Sequence, residues 1–573
     1  MTIDPNTVLH VRYDGIAVVT KLSNGAVGTQ AISIGGNFVS DVTGIDRAVG
    51  IGVFNAAGDG TSSAILSQTL AITGNSVRYV VGSGGLVPKA IGIYVSNFAG
   101  LSSTVHQSAV ISSNTVRYIA ASGLGFGTGI ADVNDAAFSG ATISQTIGIN
   151  DNTVENVIGL FAVGIDTENH VSAGAFVSQA LTIDPNTVMF VGGTSANPAA
   201  GIAIGIDVFN VVGPDATLSQ SVDIVANQVT NIRGYSDAGG IVVDTIASGA
   251  GSFVTQTVNI GASSGGGNSV TNVSAVGVHA SAVGIGVFTD ISSGAVAVQT
   301  VYVLANKVTG ITGPNAPASN VSGIVVYNRV ISDGALTQVL AVAQNAVSNV
   351  DGDGIKLVNF ASDPSVISQT VAIGNTTIDG YTFGGNRIVN AGRDGIDMRN
   401  IALGNSTVSQ VGTMFSNFVS HPGGQGGVGI VGIGVQLSAA GGTTAAHSTV
   451  YQSLAVTGND VQRNNIGISF GVTAAGGSSS GNYATGQWTM TDNTVKYNFF
   501  GGNFKVKGYS SHAVQFVNMT SGNVFESNNF GIVAGDSHGI QTISRHTGNN
   551  TFNNFGPNII TNYGPPGVQT IAP

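Results

Sequence analysis

The chain has 573 residues, a formal net charge of −11 and no cysteine. Disulfides, thiolate metal sites and cysteine-based catalysis are therefore excluded. Only 8% of the residues are charged, whereas about 25% is usual in soluble proteins. The 18 lysines and arginines form no basic run, so we expect no nucleic-acid partner. No apolar stretch is long enough to predict a transmembrane segment.

The first predicted strand of each repeat carries a glutamine that returns about every 38 residues, and in most repeats an asparagine follows seven positions later. A fixed period of this kind predicts a solenoid whose coils stack on one another. The predicted glutamine column consists of Gln30, Gln68, Gln107, Gln145, Gln179, Gln220, Gln256, Gln299, Gln338, Gln369, Gln410 and Gln452. The predicted asparagine column consists of Asn37, Asn75, Asn114, Asn152, Asn186, Asn227, Asn268, Asn306, Asn345, Asn417 and Asn459.

Side chains around each glutamine alternate as they do in a β-strand. Leu66, Leu70 and Ile72 share one face with Gln68, and the other face carries small residues. In a parallel stack, equivalent amides lie about 4.8 Å apart, so each amide can donate to one neighbour and accept from the other. A buried amide without partners would cost about 1–3 kcal/mol. We therefore interpret both columns as structural ladders rather than as ligand sites.

A corner is predicted four residues after each asparagine, where the spacing of apolar residues changes from two to three. Six coils have a residue there that tolerates a left-handed backbone, namely Asp41, Asn156, Asn231, Asn272, Gly310 and Asn349. Tyr79, Tyr118 and Phe190 stand at the same position and depart from this pattern.

The third predicted strand of a repeat begins with Gly-Ile, as in Gly92-Ile93. The generic coil is clearest where Asn459-Asp460-Val461 is followed by Gly467-Ile468-Ser469, and again in Asn529-Phe530-Gly531-Ile532-Val533. These motifs resemble the right-handed parallel β-helix superfamily over residues 1 to about 560. The resemblance implies an all-β fold, a single-stranded right-handed parallel β-helix (solenoid) with three short strands per coil and about 14–15 coils of about 38 residues. It implies no single function, because the superfamily includes lyases, hydrolases, tailspikes, adhesins and structural fibres.

We expect β-helix repeats over residues 1–500, and shorter coils with a cap or assembly segment over residues 501–573. Candidate glutamines come closer together towards that end, at Gln452, Gln487, Gln515 and Gln541. The segment from Met1 to Val8 nearly repeats the segment from Leu181 to Val188, so the chain is expected to begin inside a coil. A homo-oligomer or head-to-tail filament is the expected consequence.

Residues 351–400 break the low-charge rule, with ten charged residues. Asp353 aligns with Asp394 in the next coil, and Lys356 aligns with Asp397. The favoured interpretation is a cluster of compensating charges on a solvated face. The alternative is a catalytic site in which Asp353, Asp394 and Asp397 act on an acidic sugar. In that case the nearby aromatic residues would stack on sugar rings, namely Tyr327, Phe360, Tyr381 and Phe383.

The long stack, the scarce charge and the absence of cysteine favour an extracellular structural or adhesive protein of a bacterial surface. The candidate partners are other copies of the chain, assembled end to end into filaments, and a surface polysaccharide. A polysaccharide-active lyase, glycosidase or phage tailspike-like enzyme is the alternative. A third hypothesis is ice or surface binding by a Ser/Thr face such as Ser144 and Thr146. No metal or other cofactor is expected, except that turn acids such as Asp151 and Asp184 are candidate ligands of a structural calcium ion.

Overall fold

The computed structural model describes the chain except for residues 59–61, 194–200, 262–265, 314–319, 379, 422–430, 441–446, 476–480, 510–511, 538–539, 546–549, 555–558, 564–567 and 573. The described residues form short β-strands joined by turns, and none of them belongs to an α-helix. This part of the chain accordingly has no helix with the length and hydropathy that membrane crossing requires.

The strands lie in three parallel sheets, named A, B and C in the order in which the chain enters them, and in one antiparallel hairpin. Sheet A contains Thr2–Ile3, Val27–Gly35, Ile65–Thr73, Thr104–Ser112, Thr142–Asn150, Phe176–Ile183, Thr217–Ile224, Phe253–Ile260, Val296–Leu304, Ala335–Ala343, Val366–Gly374, Thr407–Phe415, Thr449–Thr457, Tyr483–Thr491, His512–Met519, Ile540–Arg545 and Val568–Ala572. Sheet B contains Thr7–Leu9, Phe38–Gly44, Ser76–Gly82, Thr115–Ala121, Thr153–Gly159, Thr187–Gly193, Gln228–Gly234, Ser269–Ala275, Lys307–Thr312, Ala346–Val350, Arg387–Ala391, Phe418–Ser420, Asp460–Gln462, Thr494–Lys496, Val524–Glu526 and Thr551–Asn553.

Sheet C contains Asp14–Leu22, Arg47–Ala57, Lys89–Ala99, Phe126–Ala136, Phe161–Val171, Ile202–Val212, Asp237–Ser248, Ser281–Ser292, Val321–Ile331, Asp353–Ser362, Ile396–Leu403, Val431–Ala440, Ile466–Ala475, Phe500–Tyr509, Phe530–Ser537 and Ile559–Tyr563. The hairpin pairs Thr376–Ile378 with Tyr381–Phe383. A full coil contributes one strand to each sheet in the order A, B, C. This confirms the predicted all-β parallel solenoid with three short strands per coil.

The register between coils follows the glutamines. Gln107 lies opposite Gln68 on one side and opposite Gln145 on the other, and these steps span 39 and 38 residues. The predicted period of about 38 residues is therefore confirmed. Inside each coil the alternation of sheet A strands buries residues such as Leu66 and Leu70 together with Gln68, because successive side chains of a strand point to opposite faces.

The predicted corner is present in sheet B. In the nine coils from Asn37 to Asn345, the residue four positions after the column asparagine has a φ between 54° and 70°, including the three aromatic exceptions, namely Asp41, Tyr79, Tyr118, Asn156, Phe190, Asn231, Asn272, Gly310 and Asn349. The left-handed conformation lets two inward residues, such as Val77 and Val80, flank a turn of the strand.

The described residues divide into two compact units. The first unit consists of residues Met1–Phe288, Gly294–Gln299 and Ile311–Asn320, and the second consists of Thr289–Ser293, Thr300–Gly310 and Val321–Pro573. Coils become shorter late in the second unit, where Asn498 bonds to Asn528 across 30 residues and Asn528 to Asn554 across 26. The division at residue 500 stays a prediction.

In the second unit, two column positions differ from those that the glutamine and asparagine spacing predicted. Gly486, and not Gln487, lies opposite Gln452, so the side chain of Gln487 points outward. The expectation for Gln487 was wrong by one residue. After Gln369 the hairpin intervenes, and the asparagine of that coil is Asn386.

Candidate functional site

The glutamine column is a chain of hydrogen bonds in each unit. In the first unit, Gln107 Nε2 donates to Gln68 Oε1 at 2.8 Å, and Gln145 Nε2 donates to Gln107 Oε1 at 2.8 Å. In the second unit, Gln369 Nε2 donates to Gln338 Oε1, and Gln410 Nε2 donates to Gln369 Oε1. Each of these amides is buried and is satisfied by a neighbouring coil, which agrees with a structural role.

The asparagine column works in the opposite direction along the chain. Asn75 Nδ2 donates to Asn114 Oδ1 at 2.9 Å, and Asn114 Nδ2 donates to Asn152 Oδ1 at 3.0 Å. The same oxygens also accept the backbone N–H of the preceding asparagine, as in the 2.9 Å bond from Asn75 N to Asn114 Oδ1. Each side chain thus closes the turn between sheets A and B.

A third polar column on the inner face of sheet C was missed in the sequence. In the first unit it consists of Asn55, Asn97, Asn134, Asn169 and Asn210, and in the second of Asn328, Asn359 and Asn400. Asn134 Nδ2 donates to Gln145 Oε1 at 2.8 Å and to Asn169 Oδ1 at 3.0 Å. The signal was available, since these asparagines follow the isoleucine of the third strand by four residues, as in Ile130 and Asn134.

The charged cluster of residues 351–400 lies in the second unit, at the start of the sheet C strands. Asp353, Asp394 and Asp397 are 0%, 6% and 1% exposed, and one oxygen of each lies within 4.8 Å of the others. The sequence correctly predicted that Asp353 and Asp394 come together and that Lys356 lies opposite Asp397. The favoured expectation of a solvated face was wrong for the three carboxylates, which are buried.

The chain supplies the counter-charges of this cluster. Arg393 approaches all three carboxylates, at 3.4 Å from Asp353, 3.6 Å from Asp394 and 3.7 Å from Asp397. Lys356 lies 3.7 Å from Asp353, and Arg399 Nε lies 2.8 Å from Asp397 Oδ2. Three cations therefore face three carboxylates, and Arg393 stands between them.

The same carboxylates also tie successive coils together through the backbone. Asp353 Oδ1 accepts the backbone N–H of Asp394 at 3.2 Å, and Asp394 Oδ1 accepts the backbone N–H of Val431 at 3.2 Å. Hydrogen bonds of this kind to a charged acceptor are stronger than neutral ones. The cluster thereby fixes the register of three coils at the corner between sheets B and C.

Burial dominates the protonation of the cluster. Desolvation, with a contribution from Asp353, raises the pKa of Asp394 to about 6. Desolvation, with contributions from Asp353 and Asp394, raises the pKa of Asp397 to about 8, and Arg393 opposes that increase. Burial also raises the pKa of Asp353, with Arg393 and Lys356 acting against it. Two carboxyls with separated pKa values are the arrangement that acid–base hydrolysis uses.

Access to a substrate is a separate requirement. One oxygen of each carboxylate lies within 4.8 Å of the others, and retaining glycosidases have carboxyl groups about 5 Å apart, but Arg393, Lys356 and Arg399 already form ion pairs with these carboxylates. Three carboxylate oxygens at this spacing could ligate a divalent cation, and Arg393 holds the positive charge at that place. Calcium binding by the turn acids stays a prediction.

The aromatic residues expected around the cluster differ in exposure. Tyr381 is exposed on the hairpin, whereas Tyr327 and Phe360 are half-buried. Phe383 is buried against Leu304 and Ala343 and belongs to the core. The expectation that Phe383 could stack on a sugar ring was therefore wrong.

A second group of carboxylates, on the outward face of sheet C in the first unit, was not anticipated. Asp166 lies directly opposite Asp207, and Glu168 bonds to His170 at 2.8 Å. Burial, followed by the charge of Asp244, raises the pKa of Asp207 to about 8, and burial beside Glu168 and Asp207 raises the pKa of Asp166. The hydrogen bond from His170 lowers the pKa of Glu168. The sequence did contain a signal, since Asp166 and Asp207 both directly follow the Gly-Ile motif in adjacent coils.

No protein-family model, curated protein or solved structure matches this chain.

Proposed function

We propose that this chain is an extracellular structural and adhesive solenoid of a bacterial surface. The observation that carries the proposal is the contrast between inner and outer residues of the same strands. The inner position of sheet B is valine through five consecutive coils, namely Val77, Val116, Val154, Val188 and Val229. The outer position beside it changes in every coil but one, namely Arg78, Arg117, Glu155, Met189 and Thr230.

Constant interiors and variable exteriors suit a scaffold whose surface does the binding. The amide columns keep the coils in register whatever stands outside, because their hydrogen bonds are made within the stack. Repeat proteins commonly present extended binding surfaces on this principle. Surface location and filament formation are parts of the proposal, and electron microscopy of concentrated protein tests the filament.

The proposal is tested by adhesion and by turnover on the same surfaces. Beads coated with the purified chain should be retained on at least one surface of a panel of immobilised bacterial and plant polysaccharides. The same polysaccharides, incubated in solution with the chain, should yield no new reducing ends and no unsaturated uronate absorbance. Antibodies to the chain should label intact producing cells. Labelling only after permeabilisation, or no retention on any surface, would contradict the proposal.

A polysaccharide-active enzyme is the second candidate, and one observation favours it. Asp394 and Asp397 lie within 4.8 Å of each other and have pKa values of about 6 and about 8, as an acid–base pair requires. Product release by the wild-type chain that is abolished in Asp394→Asn and in Asp397→Asn would establish this candidate. Equal product release by wild type and both variants would identify a contaminant.

A further inference from the structure

Basic residues in the first unit are concentrated in a few neighbouring coils. Residues 118–232 contain ten carboxylates and no lysine or arginine, whereas Arg47, Arg78, Lys89 and Arg117 come shortly before them. Arg78 lies directly opposite Arg117 in sheet B, and Arg47 lies directly opposite Lys89 in sheet C. Like charges directly opposite each other destabilise a sheet. A chain with so few cations places two such pairs in adjacent coils.

The two pairs stand on strands of sheets B and C that meet at one corner. A side-chain carbon on Gly82 would lie 2.6 Å from the carbonyl oxygen of Lys89, so the sheet B strand ends against the start of the sheet C strand. Arg78 precedes Gly82 by four residues, which places it about 13 Å from that junction at most. The two rows of cations therefore flank one corner of the solenoid.

The charges are only partly compensated. Arg47 is paired with Asp14 at 3.2 Å and Arg117 with Glu155 at 3.0 Å. Arg78 and Lys89 are exposed and form no ion pair within the described residues. The guanidinium of Arg78 lies 4.3 Å from the ring centre of Phe38, and the ammonium of Lys89 lies 5.8 Å from that of Phe126. Both cations therefore lie within the range of a cation–π contact with an aromatic ring.

Two tyrosines complete this corner. Tyr79 and Tyr118 follow the two arginines, and their rings stack with centroids 4.9 Å apart and planes 4° apart. Both are nearly half exposed and have positive φ angles, a conformation that bulky residues rarely adopt. Most other coils have Asn, Asp or Gly at this position. Tyr79 and Tyr118 retain a strained backbone conformation that Asn, Asp or Gly would adopt more easily. Backbone strain of this kind is typical of functional sites.

We propose that this surface, defined by Arg47, Arg78, Lys89, Arg117, Tyr79 and Tyr118, binds an acidic polysaccharide of the polyuronate type. Consecutive coils lie about 4.8 Å apart, and a polyuronate carries one carboxylate on every sugar, a repeat of the same order. A sugar chain lying along the stack would place successive carboxylates over successive coils. The arginines offer bidentate contacts to carboxylates, and the tyrosine hydroxyls can bond to sugar hydroxyls.

This inference rests on the proposed adhesive function and names its ligand. It is tested by direct binding of the full chain to polygalacturonate in solution, with the fully methyl-esterified polymer as the uncharged probe. We expect saturable binding of polygalacturonate that weakens steeply with salt, and weak or no binding of the ester. Vesicles containing phosphatidylglycerol form a separate arm.

The patch variant is Arg78→Gln with Lys89→Gln, and the matched control is Lys505→Gln with Lys507→Gln, which removes the same charge from exposed lysines of the second unit. Loss of two charge-assisted contacts should weaken binding about tenfold or more in the patch variant and less than about twofold in the control. Tyr79→Asn with Tyr118→Asn installs the residue found at other corners, and it should weaken binding without loss of folding.

Each other outcome overturns the inference in a distinct way. Equal weakening in the patch and control variants would mean that binding depends only on net charge. Binding of vesicles but not of polygalacturonate would assign the surface to a membrane. No binding of polygalacturonate by beads that still adhere to other surfaces would remove this ligand and leave the adhesive function standing. Absence of adhesion to every surface would remove both.

Discussion

In the first unit, the space between sheets A and C is filled by amides, whereas in the late coils of the second unit it is filled by rings. Asn134 and Gln145 are typical of the first arrangement, with hydrogen bonds that run from coil to coil. Trp488 represents the second, stacked on Phe470 with centroids 4.5 Å apart. Phe470 stacks in turn on Phe504 at 5.4 Å.

The two interiors hold their coils in different ways. An amide column specifies a partner for every donor and acceptor, so a shifted strand leaves buried groups without hydrogen bonds. A ring stack fills volume and resists cavities, but it tolerates a slipped neighbour of similar size. The junction is Trp488, whose Nε1–H donates to Gln452 Oε1 at 2.8 Å. Gly486 makes room for the indole, because a side-chain carbon there would lie 2.4 Å from it.

The largest expected effect comes from removing the ring at this junction. Trp488→Ala should lower the free energy of unfolding of the surrounding coils by about 3–5 kcal/mol, since it leaves a large cavity. It also takes the donor from Gln452. Hydrogen exchange of the sheet A strands Thr449–Thr457 and Tyr483–Thr491 measures the loss. Unchanged protection there would show that the ring stack contributes little.

A somewhat smaller loss is expected from the amide interior. Asn134→Leu keeps the size of the side chain but removes one hydrogen bond each from Gln145, Asn97 and Asn169, at a cost of about 2–4 kcal/mol. The matched control is the outward neighbour Val133→Thr, which should change stability by less than about 0.5 kcal/mol. Hydrogen exchange of the strand Phe126–Ala136 provides the comparison. Similar effects of both substitutions would refute the role of the column.

The free energy of unfolding should depend on pH through Asp132, a carboxylate that bonds to the amide column, whereas the amides themselves do not titrate. Burial raises the pKa of Asp132 to about 7 from 3.8, although Gln145 donates to it at 2.8 Å. The folded chain therefore holds a proton that the unfolded chain releases, and the stabilisation is present below pH 4 and is lost as pH rises through about 7.

Asp132→Asn should accordingly be more stable than wild type at pH 8, by about 3–4 kcal/mol, and equal to it near pH 4. Urea unfolding followed by circular dichroism at both pH values measures the difference. Asp223→Asn, which replaces a half-exposed carboxylate of the same unit, is the control variant. An identical pH profile for wild type and Asp132→Asn would contradict the prediction.

The smallest expected effect comes from a milder substitution at Trp488, where the amide interior meets the ring stack. Trp488→Phe retains a six-membered ring on Phe470 but removes the pyrrole part of the indole and its hydrogen bond to Gln452, so the expected loss is about 1–2 kcal/mol. Because the chain has one tryptophan, hydrogen exchange rather than fluorescence is the measurement. A loss as large as that of the alanine variant would mean that the six-membered ring retained by phenylalanine contributes little to the stability of these coils.

The fold was largely predictable because one coil repeats. The seven-residue gap between Gln68 and Asn75 predicted both a strand and the turn that follows it. The predictions from the repeat period failed where a coil is lengthened or its register changes locally. Asn386 was missed because the hairpin Thr376–Phe383 separates it from Gln369, and Gln487 was misplaced because Gly486 occupies the inward position.

The charged cluster was predictable in part, for a physical reason. Coil alignment predicted the pairing of Lys356 with Asp397, since it depends only on the repeat. Asp353 and Asp397 are buried and both lie within 4 Å of Arg393, and such side-chain packing cannot be read from the repeat period. The corner surface around Arg78 and Lys89 was missed for a related reason, because its members come from two different sheets.

The direction of the asparagine bonds has a consequence for the history of the gene. Asn114 Nδ2 donates to Asn152 Oδ1 in the next coil, and Asn114 Oδ1 accepts from Asn75 in the coil before. Each coil therefore donates the same asparagine hydrogen bond to the next coil that it accepts from the coil before. An in-frame duplication of one coil would encode a segment whose partners already exist on both sides. The close match between Met1-Thr2-Ile3-Asp4-Pro5-Asn6-Thr7-Val8 and Leu181-Thr182-Ile183-Asp184-Pro185-Asn186-Thr187-Val188 fits growth by such copying. Selection could then diversify the outer residues of each copy independently.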